Sequence, residues 1–304
     1  MAVVDLGVRL HPEVWLLVAG VVALGFYVTR VLGPNAVPAG EPIVTRRQKG
    51  FFAAGVLVLW LASDWPVHDV GERYLYSVHM AQHLVLTLVM PALFLLATPT
   101  WLARLVIGRG RAYRWVRRLT RPVVAGLVFN AAVVLSHWPL LVDASVQNGA
   151  LHYALHTLVV TTAFAMWAAV CGPLPELRIS LPGQMGYLFL MSVIPTVPGA
   201  WLTFANGAVY SAYDIPARMW GLSVTHDQQL AGMIMKVVGG TYLWVLITYL
   251  FFTWAGRHTE AGAAGRHVSE REVLMGGALT WEEVEREFAA SAPPPEPLPG
   301  PDPR

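Results

Sequence analysis

Seven long apolar runs leave this 304-residue chain few ways to fold. They lie at approximately residues 13–32, 50–66, 78–98, 122–142, 150–171, 183–205 and 227–254. Each run is close to the ~20 residues that an α-helix needs to cross ~30 Å of hydrocarbon. Charged residues make up 13% of the chain, which is about half the share found in soluble domains. The predicted fold class is therefore an all-α polytopic membrane protein, with about seven transmembrane helices in one bundle.

Positive residues lie mainly at one end of these predicted helices. Seventeen arginines and lysines fall on one side, three fall on the other, and one lies inside the seventh run. The larger group is Arg30, Arg46, Arg47, Lys49, Arg104, Arg109, Arg111, Arg114, Arg117, Arg118, Arg121, Arg178, Arg257, Arg266, Arg271, Arg286 and Arg304, the smaller is Arg9, Arg73 and Arg218, and the last is Lys236. Cytoplasmic segments of membrane proteins carry the excess of lysine and arginine. This distribution predicts an N-terminus outside and a C-terminus in the cytoplasm.

The composition changes after the seventh run. We predict a transmembrane helical domain over residues 1–255 and a cytoplasmic tail over residues 256–304. Within the tail, residues 281–290 have the pattern of a short helix, and the Pro-rich end that follows is predicted to be disordered. The single cysteine, Cys171, excludes an internal disulfide and any cysteine-based metal clip. We find no nucleophile–base motif, and nucleic acid is not an expected partner.

Histidines carry the main functional signal, because six of the ten fall at one end of the predicted helices. His79 and His83 begin the third run, and His152 and His156 begin the fifth. Two residues four apart on a helix point the same way, so each pair can present two imidazoles to one ion. Ionisable side chains inside a membrane are costly and are usually functional. We predict that these four residues are the core metal ligands.

The other histidines are assigned by position. His137, at the end of the fourth run, and His226, at the start of the seventh, are predicted as further ligands or relay positions. We expect His11 and His68 to be solvated, because they lie in outer connecting segments. His258 and His267 lie in the tail and have no predicted role.

Several nearby residues are candidates for supporting roles. Met233 could add a thioether ligand, and Lys236, near the middle of the bilayer, needs a partner or a water path. Three side chains could orient imidazoles through hydrogen bonds, namely Gln82, Asp64 and Asp227. Asp64 and Asn130 are possible partners for Lys236. Imidazole suits copper, zinc and iron, and a thioether ligand would favour Cu(I) among them.

The beginning of the seventh run carries a helix-start signal. Thr225 and Gln228 have the spacing of a capping box, with the threonine as the N-cap and the glutamine three residues later. We therefore predict that the seventh helix begins at Thr225. Prolines and Gly199 interrupt the sixth run, which predicts a kinked or broken helix there.

The ordered set of motifs resembles the CtaG-type cytochrome c oxidase assembly factors of caa(3)-type oxidase systems. The segments that carry the resemblance are His79-Met80-Ala81-Gln82-His83, Pro91 and Pro99, His137-Trp138-Pro139, His152 with His156, and Asp227-Gln228-Gln229-Leu230-Ala231-Gly232. The resemblance covers roughly residues 13–255. It implies a multi-pass protein of the bacterial plasma membrane that helps to mature a copper centre and is not an enzyme. It also implies two partners, an oxidase subunit with an extracytoplasmic copper site and a soluble copper donor.

Two other functions remain open at this stage. Histidines on facing helices can also clamp a haem iron, which would make the protein a b-type haem redox protein. The interrupted sixth run would suit a copper permease, because transporters often bind their substrates at broken helices. The sequence leaves open whether copper is delivered, stored or transported.

Overall fold

The computed structural model describes residues 7–274 and 281–290. Their regular secondary structure is entirely helical, and the described residues contain no β-strand. The protein is therefore all-α, as predicted. The Pro-rich end that the sequence predicts to be disordered, residues 291–304, lies outside the described residues.

The helices follow the apolar runs, with short helices in the connections. In the first half they are α1 (Pro12–Ala36), α2 (Arg46–Ser63), α3 (Val67–Arg73), α4 (Tyr76–Ala97), α5 (Thr100–Ile107), α6 (Arg111–Leu119) and α7 (Pro122–Ser136). In the second half they are α8 (Pro139–Gln147), α9 (Gly149–Cys171), α10 (Leu181–Val193), α11 (Thr196–Phe204), α12 (Val224–Met233), α13 (Gly239–Leu274) and α14 (Trp281–Ala290). Single π-helical turns occur at Val28–Leu32, Val85–Val89 and Ile234–Val238.

Five helical stretches of the described chain are long and apolar enough to cross a membrane. They are Pro12–Ala36, Tyr76–Ala97, Gly149–Cys171, Leu181–Phe204 and Val224–Thr259. Two bent pairs, α2 with α3 at 41° and α6 with α7 at 68°, raise the number to seven if each pair is one span. The predicted seven helices are thus the upper end of the observed range. The sixth run is one kinked stretch, interrupted between α10 and α11.

The chain separates into two compact units, Met1–Phe251 and Phe252–Arg304. The first unit contains α1 to α12 and the beginning of α13. The second contains the short helix α14. The division into a transmembrane domain and a cytoplasmic tail at residue 255 stays a prediction.

Helix α4 lies at the centre of the first unit. It packs against α2, α3, α9 and α12. The largest buried apolar cluster joins it to α7, α9 and α10 through residues that include Leu88, Phe129, Trp167 and Leu188. The helix that carries His79 and His83 is therefore surrounded by other helices of the first unit.

The π-helical turn in α4 follows from Pro91. Because proline has no N–H, the carbonyl of Thr87, four residues earlier, loses its usual α-helical partner. Trp167 Nε1 of α9 donates to that carbonyl at 3.0 Å, and Tyr242 Oη of α13 lies 3.3 Å from the carbonyl of Leu88. Neighbouring helices thus satisfy the freed carbonyl, as spanning helices require, and they hold α4 about one turn after His83.

Helix α12 begins two residues before the predicted start. Ser223 is its N-cap, and the Ser223 hydroxyl accepts a hydrogen bond from the backbone N–H of His226 at 3.2 Å. Gln228 is buried and binds the loop before the helix: its Oε1 accepts from Val209 N at 2.7 Å, and its Nε2 donates to Tyr210 O at 3.2 Å. The predicted capping box at Thr225 is therefore wrong, because the Gln228 side chain binds the backbone of the loop and not that of the N-cap residue.

Candidate metal centre

Three histidines from two helices converge inside the first unit. His79 and His83 of α4 and His156 of α9 each offer one ring nitrogen, and these nitrogens all lie within 4.8 Å of one another. His83 Nε2 and His156 Nε2 are 3.2 Å apart. A tetrahedral ion with metal–nitrogen bonds of ~2.0 Å would separate two ligand atoms by about 3.3 Å. In this set, called here the tri-histidine group, one pair of nitrogens thus already has the spacing of two metal ligands, and the third lies within 4.8 Å of both.

One nitrogen of this group lacks a partner. His79 is 9% exposed, and its Nδ1 is a buried polar atom with no hydrogen bond. Leaving a buried polar atom unpaired costs about 1–3 kcal/mol. An ion bound between the three rings would be coordinated by ring nitrogens of the tri-histidine group. The residues present therefore fit a metal such as copper.

A second group of possible ligands lies beside the first. His68 and Glu72 of α3 and His152 of α9 also have ligand atoms within 4.8 Å of one another. His68 Nε2 lies 3.1 Å from Glu72 Oε2, and His152 Nδ1 lies 3.9 Å from Glu72 Oε1. This set is called here the histidine–glutamate group. The ring of His152 is 4.3 Å from that of His156, so the two groups are adjacent.

The four predicted core ligands are therefore divided between two groups. His79, His83 and His156 form the tri-histidine group, whereas His152 belongs with His68 and Glu72. The expectation that His68 is solvated is wrong, because His68 is 7% exposed. Its spacing of four residues from Glu72, the same spacing as in the two histidine pairs, is the sequence signal that could have revealed it.

Close packing of α3 on α4 brings the two groups together. A Cβ atom at Gly71 would lie 3.0 Å from the backbone nitrogen of His79, which is tighter than most real Cβ contacts. The absence of a side chain at Gly71 therefore permits this approach. Gly71 lies between His68 and Glu72 in the sequence, so the same contact fixes the position of the histidine–glutamate group.

His137 and His226 have different outcomes. His137 is buried, with Nδ1 2.7 Å from Val133 O and Nε2 3.2 Å from Met80 Sδ. Its ring is 6.3 Å from that of His83, so it is a neighbour of the tri-histidine group. His226 is exposed and belongs to neither group of ligands found among the described residues.

Some of the predicted supporting residues lie beside the histidines, and others do not. Gln82 is 3% exposed, and its Nε2 lies 3.3 Å from His68 Nδ1. Asp64 accepts a hydrogen bond from Trp60 Nε1 at 2.9 Å, at the end of α2. Met233 is 49% exposed and does not face the histidines, so Met80 is the thioether beside an imidazole. Lys236 is exposed on the surface of the first unit.

Asp227 anchors the helix that carries His79 and His83. Its carboxylate accepts hydrogen bonds from the backbone N–H of Tyr76 at 2.6 Å and of Ser77 at 3.2 Å, and from the Ser77 hydroxyl. These N–H groups begin α4, where no side chain of α4 supplies a cap. A carboxylate is favourable at this end of a helix, so α12 caps α4 and orients its histidines through the backbone.

A small cavity opens behind the tri-histidine group. It has a volume of about 60 Å³. Its lining is mostly apolar and includes His83, His137, Met80, Met191 and Met235. Three thioethers and two imidazoles thus face one cavity, and this ligand type suits Cu(I).

Two tyrosines of the segment before α12 cover this end of the bundle. Tyr210 Oη donates to His137 O at 3.0 Å, and Tyr213 Oη donates to Gly71 O at 3.1 Å. Burial raises the pKa of Tyr210 to about 12, and it also raises the pKa of Tyr213. Both phenols therefore stay protonated at neutral pH and keep donating these hydrogen bonds, which hold the segment against α3 and the end of α7.

This combination of apolar helices and clustered imidazoles defines a class, the polytopic helical membrane proteins with a candidate transition-metal site inside the bundle. The profile of the cytochrome c oxidase caa3 assembly factor family matches residues 23–257. The chain therefore belongs to this family, and the resemblance seen in the sequence is confirmed.

The chain is also similar to individual proteins that are described as uncharacterised. The chain is 30% identical over 240 residues to an uncharacterised protein of Mycobacterium bovis, covering 69% of this chain and 35% of that protein. It is 26% identical over 273 residues to an uncharacterised protein of Mycobacterium leprae, covering 78% of this chain and 40% of that protein. The chain thus spans about a third to two fifths of the length of these curated relatives. No solved structure matches the chain.

Proposed function

We propose that this protein is a membrane-embedded copper-handling factor that binds Cu(I) as cargo and serves the assembly of the copper centre of a haem–copper cytochrome c oxidase. Membership of the family supports a role in oxidase assembly. The observation that carries the copper assignment is the tri-histidine group, with His83 Nε2 and His156 Nε2 3.2 Å apart and His79 Nδ1 unpartnered.

Charge and ligand type favour Cu(I) at this position. Three neutral imidazoles supply no negative charge, and each additional buried positive charge costs several kcal/mol. A monovalent ion is therefore less costly to bury there than a divalent one. The cavity behind His83 adds the thioethers of Met80, Met191 and Met235, which prefer Cu(I) to harder ions.

The residues around the site would hold the ion, fix the helix that carries its ligands, and offer the next ligand. His79, His83 and His156 would hold the ion through ring nitrogens, and Asp227 would keep α4 in place. His137, whose Nε2 lies 3.2 Å from Met80 Sδ, would be the next imidazole that the ion meets in the cavity. The apolar lining of the cavity would exclude water from the ion.

The dimensions of the interior argue against the haem alternative. Cavities that hold cofactors usually measure about 300–1,000 Å³, whereas the cavity beside His83 measures about 60 Å³. A porphyrin would have to separate His83 and His156, whose ring centroids are 4.4 Å apart. The permease alternative has less support than oxidase assembly, because both candidate ligand groups lie toward one end of the helices.

The experiment that tests this proposal is a Cu(I) titration of the full-length protein purified in detergent, with a colorimetric Cu(I) chelator as competitor. We expect about one tightly held Cu(I) per chain and no Soret band in the visible spectrum. In cells that lack the protein, the oxidase should contain haem but less copper. A Soret band without copper binding would establish the haem alternative, and absence of both would refute the metal assignment.

The site is proposed to face the outside of a bacterial plasma membrane, with the tail in the cytoplasm. The support is the distribution of charge, with 17 basic residues on the opposite side and three on the histidine side. An outward site could exchange copper with a soluble donor and with an oxidase subunit that carries an extracytoplasmic copper centre, the proposed partners.

Reporter fusions test this orientation. A reporter active only outside the membrane should function when fused after Gly207 and should fail when fused after Arg257. A fusion after Gly110, in the basic segment between α5 and α6, is the control and should behave like the tail fusion. An active reporter at residue 257 would reverse the proposed orientation.

A further inference from the structure

We propose that the histidine–glutamate group, formed by His68, Glu72 and His152, is a second metal site that takes one divalent first-row transition-metal ion, such as Zn(II). It would be separate from the Cu(I) site in its ligands and in the ion it prefers. The proposal does not rest on the copper assignment, because the two groups share no residue.

The geometry supports three protein ligands and an open fourth position. His68 and Glu72 lie one helical turn apart on α3, so their side chains point the same way. His68 Nε2 and Glu72 Oε2 are already 3.1 Å apart, and His152 Nδ1 lies 3.9 Å from Glu72 Oε1. Zinc–ligand distances of ~2.0–2.2 Å place neighbouring ligand atoms about 3.3–3.5 Å apart in a tetrahedral site. The three residues therefore need only a small movement of His152.

Surrounding rings hold the two histidines in position. The ring of His68 packs edge-on against the rings of His11, at 5.2 Å, and His152, at 5.9 Å. His68 and His152 are 7% and 4% exposed, whereas 29% of the Glu72 side chain is exposed. An ion would thus reach the buried imidazoles from the aqueous end of the bundle through the carboxylate.

Gln82 supplies an independent indication of a ligand at His68. Its Nε2 lies 3.3 Å from His68 Nδ1, while its Oε1 is buried without a hydrogen-bond partner. In this arrangement Gln82 donates to Nδ1, so the proton of His68 lies on Nε2 and points at Glu72. An ion at Nε2 would displace that proton and require Nδ1 to carry one.

Rotation of the Gln82 amide would then bring its Oε1 to His68 Nδ1. The unpaired Oε1 would accept from Nδ1–H of His68, which is the hydrogen bond that metal-bound histidines usually donate to a neighbouring acceptor. The buried amide of Gln82 can therefore support His68 with a metal ion at Nε2 as well as without one.

The charge of the ligands differs between the two groups, and this difference predicts which ion each group prefers. Glu72 contributes one negative charge, so a divalent ion there leaves a net charge of +1, equal to that of Cu(I) among three neutral imidazoles. Carboxylate oxygen is also a harder ligand than a thioether. We therefore expect Zn(II) to prefer the histidine–glutamate group and Cu(I) to prefer the tri-histidine group.

The test is equilibrium binding of Zn(II) to the full-length protein in detergent, compared between wild type, Glu72→Gln and Glu13→Gln. Glu72→Gln keeps the shape of the side chain and removes its charge. Glu13 is the matched control, because it is an exposed glutamate that binds His11 but is not part of the histidine–glutamate group. We expect about one Zn(II) per wild-type chain, a loss of at least about 100-fold in affinity for Glu72→Gln, and no change for Glu13→Gln.

Cu(I) binding serves as the second measurement. Glu72→Gln should keep its Cu(I), and His83→Ala should keep its Zn(II). Elution of both variants at the wild-type position in size-exclusion chromatography shows that they are folded. The proposal is overturned if wild type binds no Zn(II), if Glu72→Gln binds it normally, or if His83→Ala loses it to the same extent. None of these results would affect the Cu(I) site, whose failure would appear as absence of Cu(I) binding in wild type.

Discussion

His83→Ala and His156→Ala are each expected to lose most Cu(I) binding while the protein remains folded and inserted. In the tri-histidine group the ring nitrogens of these two residues lie 3.2 Å apart, and either change leaves at most two imidazoles. Removing a hydrogen-bond partner of a metal ligand already costs about 10–100-fold in affinity. Removing the ligand itself should cost at least about 100-fold, measured by titration against a competing Cu(I) chelator.

The matched control for this prediction is His226→Ala. His226 lies at the start of α12 but is exposed and belongs to neither ligand group. The His226→Ala variant should bind Cu(I) like wild type and support normal copper content in the oxidase of complemented cells. Equal losses in His226→Ala and His83→Ala would show that the effect comes from a general change and not from a site. Normal oxidase copper in His83→Ala and His156→Ala would show that the histidines are structural.

Asp227→Ala should lower the free energy of unfolding by about 2–5 kcal/mol, because it leaves three buried donors without their acceptor. Two of these donors are the backbone N–H groups of Tyr76 and Ser77 at the start of α4, and the third is the Ser77 hydroxyl. The measurement is unfolding in detergent by titration with sodium dodecyl sulfate. Since α4 carries His79 and His83, we also expect weaker Cu(I) binding.

Asp214→Ala provides the comparison for Asp227→Ala. Asp214 forms an ion pair with Arg218 in which both side chains are substantially exposed, 52% and 35%. Such surface pairs contribute about 0–1 kcal/mol, so this variant should unfold nearly like wild type. Asp227→Asn should lose less stability than Asp227→Ala, because the amide keeps one oxygen as an acceptor. Equal stability of Asp227→Ala and wild type would contradict the capping role.

Much of the fold could be predicted from the sequence because hydrocarbon imposes a length and a composition on any helix that crosses it. The third predicted run, 78–98, corresponds to α4 at Tyr76–Ala97, and the fifth, 150–171, corresponds to α9 at Gly149–Cys171. The pairing of His79 with His83 was also predictable, because helical geometry alone places residues four apart on one face.

The errors concern segments whose burial depends on other helices. Residues 67–73 read as a connection between two apolar runs, yet they form α3, which packs on α4 at Gly71 and buries His68. Met233 has the helical spacing of a ligand but faces outward, since no pattern within one helix states which side meets the bundle interior. Met80, adjacent to His79 in sequence, reaches His137 at the end of α7 instead.

The sequence by itself determined which segments are apolar helices and that imidazoles gather at one end of them, because both properties are local and depend on composition and helical period. Only the tertiary structure decided which imidazoles share a group. His152 joins His68 and Glu72, and His156 joins His79 and His83, although His152 and His156 lie one turn apart on α9. The assignment follows from how α3 and α4 pack against α9, and this packing depends on contacts between residues far apart in the chain, such as Asp227 with Tyr76.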